Sequence, residues 1–123
     1  MGQGKNVIYQ LSKCFALRIV RLYCCLRDNR GEYVISKQLY RSGTSIGANI
    51  AESIYAQSDA DYISKLSIAL KEASETEYWL DLLYESEVIS EKEHNSLVTD
   101  LKTIIGTLIN IINKIKNKKR EDK

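Results

Sequence analysis

The chain has 123 residues, with 44% hydrophobic and 28% charged side chains, which are ordinary values for one soluble globular domain with its own core. It contains no proline, so nothing interrupts long helices and an all-α fold is favoured. The net charge is only +2, but the charges are unevenly distributed. Residues 1–30 carry six basic side chains and one acidic side chain, and residues 101–123 carry seven basic and two acidic side chains. Residues 52–100 between them carry three basic and twelve acidic side chains. Basic ends around an acidic middle indicate a nucleic acid or a partner of opposite charge.

Neither export nor membrane insertion is indicated. Basic residues are spread evenly through the first thirty positions, without the apolar block of a secretory signal. The apolar run at residues 103–113 is too short to span a bilayer. Cys14, Cys24 and Cys25 lack C-x-x-C spacing, so neither a disulfide framework nor a zinc site is predicted. We expect a reduced, cytoplasmic protein.

The first two predicted helices span residues 5–28 and 35–56. In each of them apolar residues recur at steps of three and four, which is the period of a helix. The first stripe contains Ile8, Leu11, Phe15, Ile19, Leu22 and Leu26, and the second contains Leu39, Gly43, Ile46, Ile50 and Ile54. Between the two helices, Asn29, Arg30 and Gly31 predict a turn.

Two further helices are predicted at residues 59–86 and 91–117. Each is opened by a capping pattern, Ser58 with Asp61 and Ser90 with Glu93. Their stripes are Ile63, Leu66, Leu70, Ala73, Glu77, Leu80 and Tyr84, and then Leu97, Leu101, Ile104, Leu108, Ile111 and Ile115. Residues 118–123 are expected to be a frayed tail. Four helices with short connections predict a single domain over residues 1–123, an antiparallel up-down-up-down four-helix bundle.

The stretch RSGTSIGANIAE, residues 41–52, admits two interpretations. A phosphate-binding loop requires a preceding strand and a lysine after its last glycine, and the sequence offers neither. On a helix, Gly43 and Gly47 lie four residues apart on one face, where another helix backbone can approach closely. The stretch is therefore predicted to be a small-residue helix face rather than a nucleotide site.

Polar residues are predicted to enter the core of the bundle. Glu77 falls on the apolar stripe of the third helix, and a buried carboxylate is costly unless it is paired. We expect it to meet Arg41, Ser45 or Asn49 from the second helix. Together with Glu52, these residues form a predicted polar core that sets the register of the helices. An acid/base site at Glu77 or Glu52 is the alternative interpretation.

The third and fourth helices carry more apolar residues than a lone bundle needs. The additional residues lie beside the main stripes and are Ile68, Trp79, Leu82, Val98, Ile105, Ile109 and Ile112. A helix that is apolar around most of its circumference is normally buried on more than one side. We therefore expect these residues to form an oligomer interface. A wide core face with one exposed tryptophan is the alternative.

The sequence indicates no metal site or catalytic cluster. Bundle proteins that bind two irons use E-x-x-H pairs. The only histidine, His94, directly follows Glu93, so that spacing is missing. We expect neither a metal nor another cofactor, and no enzymatic activity.

Two motifs carry a family resemblance. The pattern R-S-x-x-S-I-x-x-N-I-A-E matches residues 41–52, and DYISKLSIALKEASETEYWLDLL supplies the second motif with Ile68, Ala69, Glu72, Ser74, Glu75, Glu77 and Leu80. Over nearly its whole length the chain resembles the four-helix-bundle proteins encoded in intervening sequences of bacterial 23S rRNA genes. The resemblance implies a bundle that assembles into a homo-oligomeric ring, with a pentamer favoured. It also implies kinship with the accessory proteins of diversity-generating retroelements, which are similar bundles that bind nucleic acid and a reverse transcriptase.

The leading functional hypothesis is a non-enzymatic, oligomeric nucleic-acid-binding or ribonucleoprotein accessory protein, with RNA or DNA and a reverse-transcriptase-like or other protein as partners. The first and fourth helices are neighbours in this topology, so their cations are expected to form one basic surface. Its candidate residues are Arg18, Arg21, Lys114, Lys116, Lys118, Lys119 and Arg120. Such a surface binds phosphates without reading sequence. The alternative is a protein-interaction scaffold, in which the acidic third helix of one copy meets a basic helix of the next.

Overall fold

Residues 3–121 form four antiparallel helices. The computed structural model describes the backbone of residues 3–121 and the side chains of residues 7–120. Its helices are α1 (Gln3–Asn29), α2 (Val34–Ser53), α3 (Asp59–Glu85) and α4 (Glu91–Glu121), and residues 3–121 contain no strand. Each helix packs against its neighbours in the chain, and α4 closes the bundle against α1. The predicted all-α four-helix bundle is confirmed, whereas its assembly into a ring stays a prediction.

The turn between α1 and α2 depends on two residues. Gly31 has a φ of 65°, in the left-handed region that glycine adopts without steric cost. The carboxylate of Glu32 then accepts hydrogen bonds from three consecutive backbone N–H groups, those of residues 34–36, at 2.6 to 3.1 Å. These groups have no partner within the helix, so Glu32 acts as its cap and α2 begins at Val34. The predicted turn is present, but the capping role of Glu32 was missed.

The end of α2 comes earlier than residue 56, where the apolar spacing predicted it. The backbone N–H groups of Ile54, Tyr55 and Ala56 bond to carbonyls three residues back, at 3.4, 3.1 and 3.1 Å. Such bonds tighten the chain into a turn of the 3₁₀ type, so the α-helix ends at Ser53.

Both predicted capping patterns are present. Ser58 accepts from the N–H of Asp61 at 3.0 Å, and Ser90 and Glu93 cap each other reciprocally at 2.9 and 3.1 Å. The far end of α4 differs from the prediction, since the helix continues to Glu121 and residues 118–121 are not frayed. Lysine and arginine are good helix formers, and positive charge complements the dipole at a helix C-terminus. Residues 122 and 123 lie outside the described residues.

The buried row of α1 differs from the predicted stripe at one position, and that of α3 differs at four of its seven positions. Ser12 rather than Leu11 is buried in α1, and Thr76 rather than Glu77 is buried in α3. One residue corresponds to a rotation of about 100° around the helix. Both helices have apolar side chains on adjacent rows, so the spacing alone does not select the row that faces the core. Contact with the neighbouring helices on both sides selects it.

The glycines of α2 lie on the face that packs against α1, as the small-residue pattern predicts. A Cβ atom added to Gly43 would lie 3.0 Å from Cγ1 and Cγ2 of Ile19, which is too close for undisturbed packing. A Cβ atom added to Gly47 would meet Ser12 at 3.5 Å, an ordinary contact. Of these two glycines, Gly43 therefore leaves less room for a side chain against α1.

Candidate nucleic-acid interface

Five of the candidate cations cluster at the C-terminal end of α4. These five residues are Lys114, Lys116, Lys118, Lys119 and Arg120. All of them are exposed, and none takes part in an ion pair among the described side chains. We call this group the α4 basic end. Ile115, within it, lines a cavity with Ala56 and Ser58 of the α2–α3 connection. The α4 basic end therefore lies at the end of the bundle where α2 finishes and α3 begins.

Arg18 lies far from the α4 basic end, contrary to the prediction of one basic surface. Its guanidinium donates to Asp100 Oδ2 at 2.6 Å and to Ser96 Oγ at 2.7 Å. Asp100 and Lys114 are fourteen residues apart on α4, or about 21 Å along the helix axis. The helices are antiparallel, so the C-terminal half of α1 lies beside the N-terminal half of α4. Arg21 is exposed and lies one turn farther from the α4 basic end than Arg18.

The opposite end of the α1–α4 contact is closed by an ion pair. Arg30 binds Glu93 with Nη2 to Oε2 at 3.0 Å and donates to the carbonyl of Val88 at 2.8 Å. The hydrogen bond from Arg30, helped by the N–H of Ser90, holds the pKa of Glu93 below its ordinary value. The positive charge of Arg30 is thus used within the protein, in contrast to the charges of the α4 basic end.

The residues of α2 that were predicted to form a polar core lie at least partly exposed to solvent. Arg41 has half of its side chain exposed and binds Glu72 and Glu75 of α3 at the surface. Ser45 and Asn49 donate to carbonyls of their own helix, and Glu52 is 62% exposed beside Lys65. All of these side chains lie on the rim of the α2–α3 contact, because the buried row of α2 passes through other residues.

Glu77 also has a different partner from the predicted one. Its carboxylate is 3.1 Å from Nζ of Lys102 on α4, and 28% of the side chain is exposed. The buried polar contact between α2 and α3 is made instead by two hydroxyl groups, with Thr76 Oγ1 3.0 Å from Ser42 Oγ. Among the described residues, no buried side-chain polar atom lacks a hydrogen-bond partner. The arrangement therefore offers no unpaired acid or base in the core.

The candidate interface residues fall into three groups. Ile68 and Ile109 are 41% and 40% exposed, whereas Ile112 is 6% exposed and belongs to the core of its own protomer. Half-buried side chains form the third group, which contains Trp79, Leu82, Val98 and Ile105. Ile112 is therefore removed from the predicted interface, because α4 turns it toward the other helices.

The described part of the chain holds neither a cluster of metal ligands nor a membrane-spanning helix. No group of three or more His, Cys, Asp or Glu side chains there is arranged to hold a metal ion. His94 has a single carboxylate neighbour, with Nε2 2.7 Å from Asp81, and its ring stacks on Tyr84. None of the described helices is long and apolar enough to cross a membrane.

One feature of the surface was missed by the sequence reasoning. On α1, Lys13 lies over the ring of Tyr9 at 5.7 Å, and Arg27 lies over the ring of Tyr23 at 5.4 Å. Tyr40 of α2 contacts Tyr23, with ring centroids 4.8 Å apart. The signal in the sequence is a tyrosine followed four residues later by a cation, which occurs twice within α1, at an interval of fourteen residues. We call these five residues the tyrosine groove.

Comparison with known proteins identifies the family of the chain. No curated protein matches the chain. A crystal structure of a protein of unknown function from the S23 ribosomal protein family of Bacteroides thetaiotaomicron is similar, with 52% identity, a TM-score of 0.89, and 90% of this chain and 99% of that chain covered. The profile of the 23S rRNA-intervening sequence proteins matches residues 4–110. The chain therefore belongs to the family of 23S rRNA-intervening sequence proteins.

Proposed function

We propose that this protein is a non-enzymatic, oligomeric nucleic-acid-binding protein that acts as an accessory component of a ribonucleoprotein. The observation that carries the proposal is the α4 basic end, where five exposed cations lie within seven residues. By contrast, Arg18, Arg30 and Arg41 each bind a carboxylate of the same protomer. Cations without internal partners are more readily available to a phosphate backbone than cations already paired with a carboxylate.

The geometry of the α4 basic end suits phosphate contacts better than base contacts. Seven helical residues make about two turns, so the five side chains point in several directions around the helix. Flexible lysines act as point charges, and phosphate contacts of this kind carry no sequence information. The family name refers to 23S rRNA, which makes RNA the first ligand to test. The resemblance implies a reverse-transcriptase-like protein as a partner. We also propose a cytoplasmic location, where RNA would be accessible to this protein.

The test is binding to a structured RNA and to a duplex DNA over a series of salt concentrations. Each phosphate neutralised by the protein adds about one to the slope of log affinity against log salt. In the variant Lys118→Glu/Lys119→Glu we expect weaker binding and a slope reduced by about two. The matched control is Lys71→Glu/Lys92→Glu, which makes the same change in charge at exposed positions away from the α4 basic end. Absence of binding at low salt would overturn the proposal, and equal losses in both variants would place the contact elsewhere.

Self-assembly without nucleic-acid binding is the second candidate function, and the outer face of α1 favours it. Val7 and Leu17 are 51% and 48% exposed, and a cavity of about 370 Å³ is lined by Val7, Gln10, Leu11 and Cys14. These positions recur at steps of three and four, the spacing by which one helix packs on another. A second copy could cover this face with α3, whose exposed surface combines apolar and acidic side chains.

Sedimentation of the protein over a range of concentrations tests this second candidate. We expect Val7→Lys/Leu17→Lys to reduce the size of the assembly, and Lys13→Glu to weaken it if an acidic helix covers this face. A protein that sediments as a monomer at every concentration would refute self-assembly. A ring that forms but binds no nucleic acid would favour the scaffold over the nucleic-acid-binding function.

A further inference from the structure

We propose that the tyrosine groove binds a single, unpaired nucleic-acid strand by stacking its bases on tyrosine rings. The inference rests on the proposed nucleic-acid function, but it assigns a second site and a ligand class that the α4 basic end does not define. The groove follows the contact between α1 and α2, on a different side of the bundle from the acidic helix α3. Its residues are Tyr9, Lys13, Tyr23, Arg27 and Tyr40.

Aromatic rings and cations alternate along the groove. Lys13 accompanies Tyr9, and Arg27 accompanies the pair formed by Tyr23 and Tyr40. Proteins that bind single strands combine these two elements, because bases stack on aromatic rings while cations follow the phosphates. Five of the eight tyrosines of the protein lie in α1, in α2 or directly beside α2.

The floor of the groove is made of small residues. A cavity of about 170 Å³ beside Tyr9 and Lys13 is lined by Ala16 on α1 and by Ala48 and Ala51 on α2. Gly47 of α2, which also lines this cavity, packs against Ser12 of α1. The surface is therefore shallow enough for an extended strand to lie along it.

The spacing of the aromatic residues fits a strand several nucleotides long. Tyr9 and Tyr23 are fourteen residues apart on one helix, or about 21 Å along its axis. Single-strand sites typically hold roughly four or more nucleotides. In a duplex the faces of the bases are covered by their neighbours, so tyrosines can stack only on unpaired bases. The geometry thus favours an unpaired strand over a duplex.

The charge of the groove is compatible with a phosphate backbone. Lys13 and Lys37, which lies one turn before Tyr40, are exposed and take part in none of the ion pairs among the described side chains. The adjacent carboxylate of Asp28 binds Arg27 at 2.8 Å. Both members of that pair are largely exposed, so a phosphate can compete with the carboxylate for Arg27.

The position of the groove connects it with the α4 basic end. Tyr9 lies near the N-terminal end of α1, and the antiparallel arrangement places that end beside the C-terminal end of α4. A strand held by the lysines of α4 can therefore continue over Tyr9 toward Tyr23. One nucleic-acid strand would therefore contact both sites. Its phosphates would bind the α4 basic end, and its bases would stack on the rings of the tyrosine groove.

The experiment compares a fluorescently labelled single-stranded RNA of twelve uridines with an RNA duplex of the same length. We expect the variants Tyr9→Leu, Tyr23→Leu and Tyr40→Leu each to weaken single-strand binding about tenfold, without changing the salt slope, since stacking releases no counterions. Asp28→Asn should strengthen binding, because it removes a negative charge and frees Arg27. The matched control is Tyr78→Leu, an exposed tyrosine of α3.

A photo-crosslinking measurement on the wild-type protein removes any dependence on how the variants fold. A uridine strand carrying 5-iodouracil should crosslink to tyrosines of the groove. Crosslinks confined to α4 would overturn this inference and leave the proposed function standing. The same conclusion would follow if single strand and duplex bound equally well and the tyrosine variants bound RNA as tightly as the wild type. Absence of binding to any nucleic acid would overturn both. Tyrosine variants that alter the oligomeric state but not RNA binding would identify the groove as a protein contact and would also overturn it.

Discussion

Replacement of Gly43 by alanine tests the close packing of α1 and α2. The added Cβ atom would lie 3.0 Å from two side-chain carbons of Ile19, a residue that is 0% exposed and would have to shift within the core. Gly106 of α4 offers a matched control, since a Cβ atom there has no neighbour within 4 Å. Both glycines lie inside helices, so both alanine variants gain helix propensity. Only Gly43→Ala introduces a steric clash.

The expected magnitudes follow from these two effects. Alanine is favoured over glycine inside a helix by about 1 kcal/mol, so Gly106→Ala should raise the free energy of unfolding by up to about that amount. Overpacking a filled core costs about 1 to 3 kcal/mol. Gly43→Ala should therefore leave the free energy of unfolding unchanged or lower it by up to about 2 kcal/mol. The two variants are expected to differ by about 1 to 3 kcal/mol.

Urea denaturation, followed by circular dichroism at one protein concentration, measures this difference. A fixed concentration is needed because oligomerisation would shift the apparent stability. Gly47→Ala is a second control and should resemble Gly106→Ala, because its Cβ atom makes only an ordinary contact with Ser12. If Gly43→Ala stabilised the protein as much as Gly106→Ala does, the proposed close approach of α1 and α2 would be refuted.

Two further predictions concern the connections between helices. Glu32→Ala should lower the free energy of unfolding by about 1 to 2 kcal/mol in urea denaturation, because three N–H groups at the start of α2 lose their acceptor; an unchanged stability would mean that water replaces the carboxylate. The folded-state pKa of Glu93 lies below its ordinary value of 4.5, so its pair with Arg30 stabilises the protein above that pH and is lost as the pH falls through the folded-state pKa. Glu93→Gln should therefore reduce the loss of urea resistance between pH 7 and pH 3 more than the control Glu91→Gln; equal effects would contradict the assignment.

Local features of the bundle were predictable from the sequence. The capping patterns at Ser58 and Ser90, the turn at Gly31 and the helical nature of residues 41–52 each depend on a few neighbouring residues, and the structure contains all of them. Helix ends were less predictable. The end of α2 depends on a change in hydrogen-bond spacing that apolar periodicity does not register.

The sequence did not predict which charged side chains form ion pairs with one another. The partner of Glu77 is Lys102 rather than Arg41, and Arg18 is held by Asp100 far from the α4 basic end. Each outcome depends on how far one helix is rotated and shifted against the next. A shift of one residue in the buried row moves a side chain by about 100° and gives it a different neighbour.

By itself the sequence determined that the chain forms four helices, where the caps of α3 and α4 lie and which family motifs it carries, because these properties arise from residues a few positions apart. Only the tertiary structure decided which row of each helix is buried, which cations are neutralised within the protomer and which remain available at the α4 basic end. It also brought Tyr40 of α2 against Tyr23 of α1 to form the tyrosine groove. These properties arise from contacts between separate helices, whose rotation and register are set by packing on two sides at once.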